Sequence, residues 1–326
     1  MNELNFEAVQ LVVGEPNIQV RNAIKSALQE KGFGHISDHN SLEPVREAAT
    51  DAHTDLLIVD THLGGDPDHV CGLLRGIRHH TLGDNPFLPV IALTGDTDKA
   101  VVKKLIDAGA DHIMGKPVAV TQLEERIVAL VRARKPFVVT SDYVGPDRRS
   151  AKRRPDPDTE EIPLLEVPNV LRAKATGEED PEAVRAAIEE TVAEVNEHKR
   201  ERNAVRLVHA ARRVAGAAGA AQLHTDKAAK ELQSILDICN DLEARTRDTG
   251  YAPVAQLSDA LAEVAGRLLE RTGDADDRDV RLLPELAQGV QLAFRADPRH
   301  EDLVGLITGM IASAERSADR RNTGRG

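Results

Sequence analysis

The sequence predicts a doubly wound α/β domain with a five-stranded parallel sheet, followed by a linker and an all-α helical bundle. Three observations support this fold class. Between residues 8 and 133, short apolar runs of strand length alternate with segments of helical periodicity. From about residue 136 the chain is rich in proline and shows no sustained period. From residue 180 onward the chain is alanine-rich, and its pattern is helical without a recognisable strand.

The first region, predicted as a domain of residues 1–135, divides into five strand–helix pairs. A continuous apolar run such as "LLIV" is typical of a strand that is buried on both faces of a parallel sheet. The predicted strands are Ala8–Val13, His35–Asp38, Leu56–Val59, Leu88–Leu93 and Asp111–Met114. The predicted helices are Ile18–Lys31, Leu42–Ala52, His69–His79, Thr97–Ala108 and Val120–Arg132. Right-handed crossovers would then place helices on both faces of the sheet.

Polar side chains follow three of the predicted strands. Asp60 comes directly after the third strand, Thr94 directly after the fourth, and Lys116 just past the fifth. In sheets of this kind, ligands bind beyond the carboxyl ends of the strands. We therefore expect all three side chains at one edge. Taken alone, Asp60 is either a cap of the turn at Gly64–Gly65 or a reactive group at that edge.

Four sequence blocks identify a family resemblance. The blocks "LVVGEPNIQVRNAIKSALQEKGF", "DLLIVDTHLGG", "LPVIALTG" and "AGADHIMGKPV" resemble the signature segments of the receiver domain of bacterial response regulators, which has a flavodoxin-like fold. The resemblance implies a two-component signalling protein, not a classical enzyme. It implies that Asp60 accepts a phosphoryl group from a histidine kinase or phosphotransfer protein. It also implies that Thr94 hydrogen-bonds a phosphoryl oxygen, that Lys116 pairs with it, and that Pro117 follows a cis peptide bond.

The block at the end of the first strand departs from the family pattern. Receivers have two adjacent acids there that hold magnesium, whereas "VVGEPN" contains only Glu15. Depending on the alignment, Gly14 or Pro16 takes the place of the second acid. Magnesium prefers oxygen ligands, so we expect a weak magnesium site formed by Glu15 and Asp60. This departure leaves open an alternative, a pseudo-receiver that acts as a scaffold without phosphate.

A second departure concerns signal transmission. Receivers usually carry an aromatic residue three positions before the lysine, and here that position is Ile113. A rotamer switch based on tyrosine or phenylalanine is therefore not available at this site. The substitution also favours the scaffold alternative.

The predicted linker, residues 136–179, contains a basic tract within "YVGPDRRSAKRRP". Five basic side chains lie between Arg148 and Arg154. The start of the tract is similar to a segment that follows receiver domains in some regulators. The arginines could bind an acidic or phosphorylated surface, because their planar donors match such oxygens. A solvated hinge and a nucleic-acid-binding arm are the alternatives.

The predicted helical bundle, residues 180–320, has segments of helical periodicity at 181–197, 201–219, 225–246, 253–271, 278–295 and 300–317. On a helical wheel, Ala204, Leu207, Ala211 and Val214 form an apolar stripe, and His209 lies on the opposite side. The segment around His209 resembles a histidine phosphotransfer (HPt) domain, which implies that His209 carries a phosphoryl group. Arg213 stands where that family has a glycine. The alternatives are a degenerate bundle used for docking or dimerisation and an unrelated helical domain.

The composition limits the remaining partners and locations. The formal charge of −12 and an aromatic content of 2% argue against general nucleic-acid binding, which relies on lysine, arginine and stacking rings. Since no apolar run approaches the length of a bilayer span, we expect a cytoplasmic protein without membrane insertion. The sequence leaves a homodimer open.

Overall fold

The computed structural model describes residues 4–95, 99–140, 143–148, 164–216, 226–246, 252–270, 277–295 and 309. The chain divides into two compact units, Met1–Val195 and Asn196–Gly326. A five-stranded parallel sheet with flanking helices in the first unit and a helical C-terminal region confirm the predicted fold class.

The first unit begins with five alternating strand–helix pairs. They are β1 (Gln10–Gly14), α1 (Ile18–Glu30), β2 (His35–His39), α2 (Leu42–Ala49), β3 (Leu56–Asp60), α3 (Pro67–Arg78), β4 (Val90–Thr94), α4 (Lys99–Asp107), β5 (His112–Gly115) and α5 (Val120–Arg132). The strands pair in parallel in the order β2-β1-β3-β4-β5. β3 and β4 are buried along their whole length, as their continuous apolar sequences predict. The strand order reverses between β1 and β3, where sheets of this type bind their ligands.

Two apolar layers hold the sheet between its helices. On one face, α1 and α5 pack against alternate strand residues, and the stacked rings of Phe6 and Phe33 extend this layer with centroids 4.5 Å apart. On the other face, α2, α3 and α4 pack against the intervening strand residues. Side-chain caps fix two helix starts: the Asn17 carboxamide accepts from two backbone N–H groups of α1, and the Asp66 carboxylate accepts from one of α3.

The structure differs from the predicted linker at residues 136–179. This segment forms three short strands and a helix: β6 (Phe137–Val139), β7 (Val144–Pro146), β8 (Leu164–Leu165) and α6 (Val170–Thr176). β6 pairs with both other strands in antiparallel fashion. Phe137 anchors the segment: it is fully buried, and the guanidinium groups of Arg78 and Arg134 lie 5.3 and 5.0 Å from its ring centroid.

Two buried carboxylates at the amino-terminal ends of the strands fasten this extension to the sheet. Asp111, just before β5, accepts hydrogen bonds from Arg78, Arg134 and the backbone N–H of Val90. Arg148, the first residue of the predicted basic tract, donates to the carbonyls of Ala110 and Asp111. The rest of the tract, 149–154, lies outside the described residues.

Asp55, just before β3, is the second of these carboxylates. It accepts from the backbone N–H of Gln10 at 2.8 Å and from Lys174 of α6 at 2.6 Å. Its other oxygen contacts Arg185 of the following helix at 3.4 Å. Asp55 is therefore a structural group that holds the extension against the sheet.

The two helices predicted at 181–197 and 201–219 are one helix, α7 (Pro181–Gly216). The prediction of a break was wrong, because residues 198–200 are His, Lys and Arg, and neither glycine nor proline interrupts the helical backbone there. In the first unit, Ile188, Val192 and Val195 of α7 pack in one cluster with Phe137.

The second unit contains the rest of α7, α8 (Asp226–Thr246), α9 (Ala252–Glu270) and α10 (Asp277–Arg295). One apolar core joins these helices, and it includes the stripe of Ala204, Leu207, Ala211 and Val214 that the helical wheel predicts. The helix predicted at 300–317 lies outside the described residues, apart from residue 309.

Candidate functional site

Four polar side chains meet at the carboxyl edge of the sheet. Asp60 ends β3 and Thr94 ends β4, while Glu15 directly follows β1 and Lys116 directly follows β5. Asp60 is 1% exposed, and Glu15 and Thr94 are also buried. Parallel pairing brings the ends of these strands together, as the sequence predicts for Asp60, Thr94 and Lys116.

The Lys116 ammonium group joins the two carboxylates. Its Nζ atom lies 2.5 Å from Asp60 Oδ2 and 2.6 Å from Glu15 Oε2. Burial acts to lower the pKa of Lys116, but the two carboxylates outweigh it, so the pKa is raised above its usual value. Lys116 is therefore a permanent cation between two buried acids.

Backbone groups hold the remaining carboxylate oxygens. Asp60 Oδ1 accepts from the N–H of His62 at 2.8 Å, and Glu15 Oε1 accepts from the N–H of Asn17 at 2.9 Å. The Asn17 side chain caps α1, so its amide oxygen is used in the helix start. Each carboxylate thus has one oxygen fixed by the backbone and one directed to Lys116.

The packing around Gly14 leaves little room for a side chain at this position. A β-carbon on Gly14 would lie 2.8 Å from Val45 Cγ2 and 2.9 Å from Leu63 Cδ2. An aspartate or glutamate there would therefore require both side chains to move. Glu15, one residue further on, is the acid that reaches Lys116.

The segment after Thr94 and the segment around Lys116 are also coupled. The Lys116 N–H donates to the Thr94 carbonyl at 2.8 Å. The peptide bond between Lys116 and Pro117 is cis, which confirms the expectation from the resemblance. Ile113 is half-buried and packs against the apolar layer formed with α2, α3 and α4.

Comparisons with known proteins agree with this architecture. Residues 11–128 match the family model of the response regulator receiver domain. This segment, and not the whole chain, is assigned to that family. Over 130 residues the chain is 31% identical to the response regulator MprA of Mycobacterium tuberculosis (strain ATCC 25618 / H37Rv). This alignment covers 40% of this chain and 53% of the relative. The chain is also 30% identical over 129 residues to MprA of Mycobacterium avium (strain 104). That alignment covers 39% of this chain and 53% of the relative. The chain thus spans about half the length of the curated relatives it matches.

Among solved structures, a response regulator from Thermotoga maritima is 24% identical. The match covers 37% of this chain and 95% of that chain, with a TM-score of 0.32. The sequence comparisons support a response-regulator interpretation of residues 11–128 and do not favour the scaffold or nucleic-acid alternatives.

The carboxylates of Glu15 and Asp60 are of the chemical type that binds a magnesium ion. Magnesium is commonly bound by one or two carboxylates together with water molecules, and Glu15 and Asp60 supply two. Among the residues that the structure describes, no three histidine, cysteine, aspartate or glutamate side chains are grouped as a metal site. Asp55 lies at the opposite end of β3 from Asp60, so it adds no ligand.

His62 is a neighbour of the site that the sequence reasoning missed. Its Nδ1 atom lies 3.9 Å from Asp60 Oδ1, and its side chain is 45% exposed. The signal was available, because a turn directly after a strand brings the second residue back toward the strand's last side chain. The hydrogen bond from the backbone N–H of His62 to the Asp60 carboxylate closes that turn.

His209 lies in the second unit, on α7. Its side chain is exposed, and the neighbouring Val208 and Ala210 are buried. Arg213, one turn further along, forms two hydrogen bonds with Glu231 of α8, at 2.7 and 2.8 Å. The glycine and leucine at 219 and 223, which belong to the HPt resemblance, lie outside the described residues.

Within the described part of the chain, no helix is long and apolar enough to cross a membrane.

Proposed function

We propose that the chain is a two-component response regulator in which Asp60 accepts a phosphoryl group. The observation that carries this proposal is the contact between the buried Asp60 carboxylate and the Lys116 ammonium group, 2.5 Å apart at the carboxyl edge of the sheet. The match of residues 11–128 to the receiver family supports it. A histidine kinase or a phosphotransfer protein is the proposed donor.

In the proposed reaction, a carboxylate oxygen of Asp60 attacks the phosphorus atom of a phosphohistidine. The new oxygen–phosphorus bond forms as the phosphorus–nitrogen bond breaks, and the imidazole of the donor keeps the electron pair and takes up a proton. Transfer of this kind depends on positioning and on charge neutralisation more than on covalent help from the protein. The backbone N–H of His62 fixes one oxygen of Asp60 and so orients the carboxylate.

Lys116 and Thr94 have distinct proposed roles. Lys116 would turn from Asp60 and Glu15 to the phosphoryl oxygens, since its ammonium group already lies at this carboxylate. Thr94, at the end of the neighbouring strand, would donate its hydroxyl to a phosphoryl oxygen. A magnesium ion held by Glu15 and Asp60 would supply additional neutralisation of the phosphoryl charge.

The helical unit is the proposed output region, where another signalling protein would dock. His209 is the residue in it that could carry a phosphoryl group, because its imidazole is exposed on the side of α7 opposite the buried stripe. Arg213, one turn along α7 from His209, pairs with Glu231 of α8. The proposed docking role requires no phosphoryl transfer to His209.

The test is the intact mass of the full chain after incubation with acetyl phosphate and magnesium. We expect one added phosphoryl group on the wild type and on Asp107→Ala, which removes an exposed carboxylate of α4. We expect none on Asp60→Ala. The same experiment with a phosphorylated histidine kinase as donor should give the same pattern.

Two outcomes would overturn the proposal. One is an adduct that persists in Asp60→Ala, which would place the acceptor elsewhere. The other is a wild-type chain that stays unmodified with both donors. His209→Ala separates the second site: it should leave the Asp60 adduct intact and remove any acid-labile phosphohistidine.

A further inference from the structure

The turn after β1 carries one of the two acids of the proposed magnesium site. Glu15 begins this turn, it is fully buried, and its Oε2 atom lies 2.6 Å from Lys116 Nζ. Its N–H donates to the His39 carbonyl of β2 at 3.0 Å. Pro16 follows, and proline has no N–H group that could continue this bonding. The place of the Glu15 backbone therefore depends on a donor from elsewhere in the fold.

Arg21, in the first turn of α1, is that donor. Its Nη1 atom donates to the Glu15 carbonyl oxygen at 2.7 Å and lies 3.5 Å from the Pro16 carbonyl oxygen. The Arg21 side chain is 12% exposed, so it is largely enclosed where it crosses the turn. A charged donor of this kind makes a stronger hydrogen bond than a neutral one. The guanidinium group thus holds the backbone of the residue that supplies the acid.

Asp38 of β2 fixes the other side of the guanidinium group. Arg21 Nε lies 3.2 Å from Asp38 Oδ2, and Lys25 Nζ lies 2.5 Å from Asp38 Oδ1. The hydrogen bond from Lys25 chiefly, and that from Arg21 in addition, hold the pKa of Asp38 below its ordinary value of 3.8. Asp38 is therefore an ionised anchor at neutral pH, and Arg21 links it to the turn after β1.

We propose that Arg21 is a positioning residue for phosphoryl transfer, which holds the turn after β1 so that the Glu15 carboxylate stays beside Lys116 and Asp60. This inference rests on the proposed function of Asp60 as the phosphoacceptor. A planar guanidinium group donates in two directions at once, to the turn and to Asp38, and a lysine ammonium group does not reproduce that geometry. Groups that orient a metal ligand commonly account for about 10–100-fold in metal affinity.

The charge of Arg21 and its bonds to the turn have opposite effects on magnesium binding. Removal of a nearby cation by itself strengthens the binding of Mg²⁺, because it removes electrostatic repulsion. Loss of the bonds to the turn weakens binding, because the Glu15 carboxylate is then no longer held in place. A positioning role therefore predicts a loss of affinity where charge alone predicts a gain.

The first test is calorimetric titration of the full chain with magnesium. We expect Arg21→Met to bind magnesium about tenfold more weakly than the wild type. Arg21→Lys, which keeps the charge, should also bind more weakly than the wild type. Lys25→Met is the matched control, since it removes the cation that bonds to Asp38 Oδ1 and not the bond to the turn. Its affinity should equal or exceed that of the wild type.

Two results of this titration would overturn the proposal. One is an affinity of Arg21→Met that equals or exceeds that of the wild type. The other is a wild-type chain that binds no magnesium.

The second test is a double-mutant cycle on the initial rate of Asp60 phosphorylation by acetyl phosphate at one magnesium concentration. If Arg21 acts through Glu15, Arg21→Met should lower the rate about tenfold in the wild type and less than about twofold in Glu15→Gln. A merely structural role would lower both rates by the same factor, and that result would contradict the proposal. Thermal unfolding checks that each variant is folded, and Arg21→Lys takes the place of Arg21→Met in the cycle if the latter is not.

The cycle also separates this inference from the proposed function. A folded wild type that takes up no phosphoryl group contradicts the proposed function, and this inference with it. A wild type that is phosphorylated on Asp60, with independent effects of Arg21→Met and Glu15→Gln, contradicts the role of Arg21 alone.

Discussion

The two ends of the receiver sheet use buried carboxylates in different ways. At the amino-terminal end, Asp111 accepts from two arginines and a backbone N–H, and both of its oxygens are occupied. At the carboxyl end, Asp60 has one oxygen bound by a backbone N–H, and the other contacts the Lys116 ammonium. A carboxylate that is saturated by fixed donors is structural. One that is held by a single flexible cation keeps an oxygen available for reaction.

The environment of each cation also differs. Arg78 is fully enclosed at the amino-terminal end, and burial lowers its pKa to about 10 in spite of its pairing with Asp111. Lys116 keeps about a quarter of its side chain exposed, and its pKa is raised. The first pair is closed to solvent, whereas the second can exchange partners.

The largest expected effect comes from Asp111→Asn. It leaves the charges of Arg78 and Arg134 without their carboxylate in a buried site, which typically costs about 3–5 kcal/mol. Asp60→Asn should cost less than Asp111→Asn, since Glu15 still pairs with Lys116 and no buried cation loses its last carboxylate. Denaturant unfolding of both variants measures the difference. Equal losses of unfolding free energy in Asp111→Asn and Asp60→Asn would contradict this difference between the two ends of the sheet.

Acid unfolding sharpens the same comparison. Burial acts to raise the pKa of Asp111, but Arg134 and Arg78 outweigh it and hold the pKa below its ordinary value of 3.8. The resulting stability is present above that value and is lost as the pH falls through the lower folded-state pKa. Arg134→Gln removes one of these cations, so it should move acid unfolding to higher pH and cost about 2 kcal/mol at neutral pH.

Lys135→Gln is the matched control, because it removes the exposed charge of the next residue. Its acid unfolding should follow the wild type. If Arg134→Gln and Lys135→Gln shift the pH of acid unfolding equally, the effect comes from net charge and not from the pairing of Arg134 with Asp111. Circular dichroism as a function of pH gives both curves.

A glycine pair tests how closely the extension fits the amino-terminal end. A β-carbon at Gly145 of β7 would lie 2.7 Å from the Tyr143 hydroxyl and 3.0 Å from the α-carbon of Gly109. Gly145→Ala should therefore cost about 1–3 kcal/mol. In contrast, a β-carbon at Gly72 of α3 meets no atom within 4 Å, so Gly72→Ala should stabilise the protein by about 0.5–1 kcal/mol. Denaturant midpoints measure both, and a Gly145→Ala variant as stable as the wild type would contradict the close fit.

The two ends were also unequally predictable from the sequence. Asp60, Thr94 and Lys116 follow strands that their apolar runs reveal, and parallel pairing then brings them to one edge. The bond from Arg148 to the carbonyls of Ala110 and Asp111 has no local signal, because it depends on a tertiary contact between distant segments. The continuous course of α7 did have a local signal, because neither glycine nor proline interrupts the charged residues between its two predicted halves.

Within the site itself, the identity of the side chains was predictable and their pairing was not. A missing second acid is visible in "VVGEPN". The crowding of Gly14 by Val45 and Leu63 becomes visible when α2 and the turn after β3 are in place. The bridge from Lys116 to Glu15 likewise follows from the ends of β1 and β5 meeting at one edge.

The last expected effect concerns that bridge, and it is an effect on metal binding. The Lys116 ammonium contacts the same two carboxylates that would bind magnesium, so ammonium and metal compete for them. Lys116→Met should therefore raise the magnesium affinity of the full chain by about tenfold, or about 1.4 kcal/mol. Lys103→Met, which removes an exposed lysine of α4, should leave the affinity unchanged. Calorimetric titration with magnesium distinguishes them. If Lys116→Met binds no more tightly than the wild type, the ion does not use the Glu15–Asp60 pair, and the proposed metal ligands are wrong.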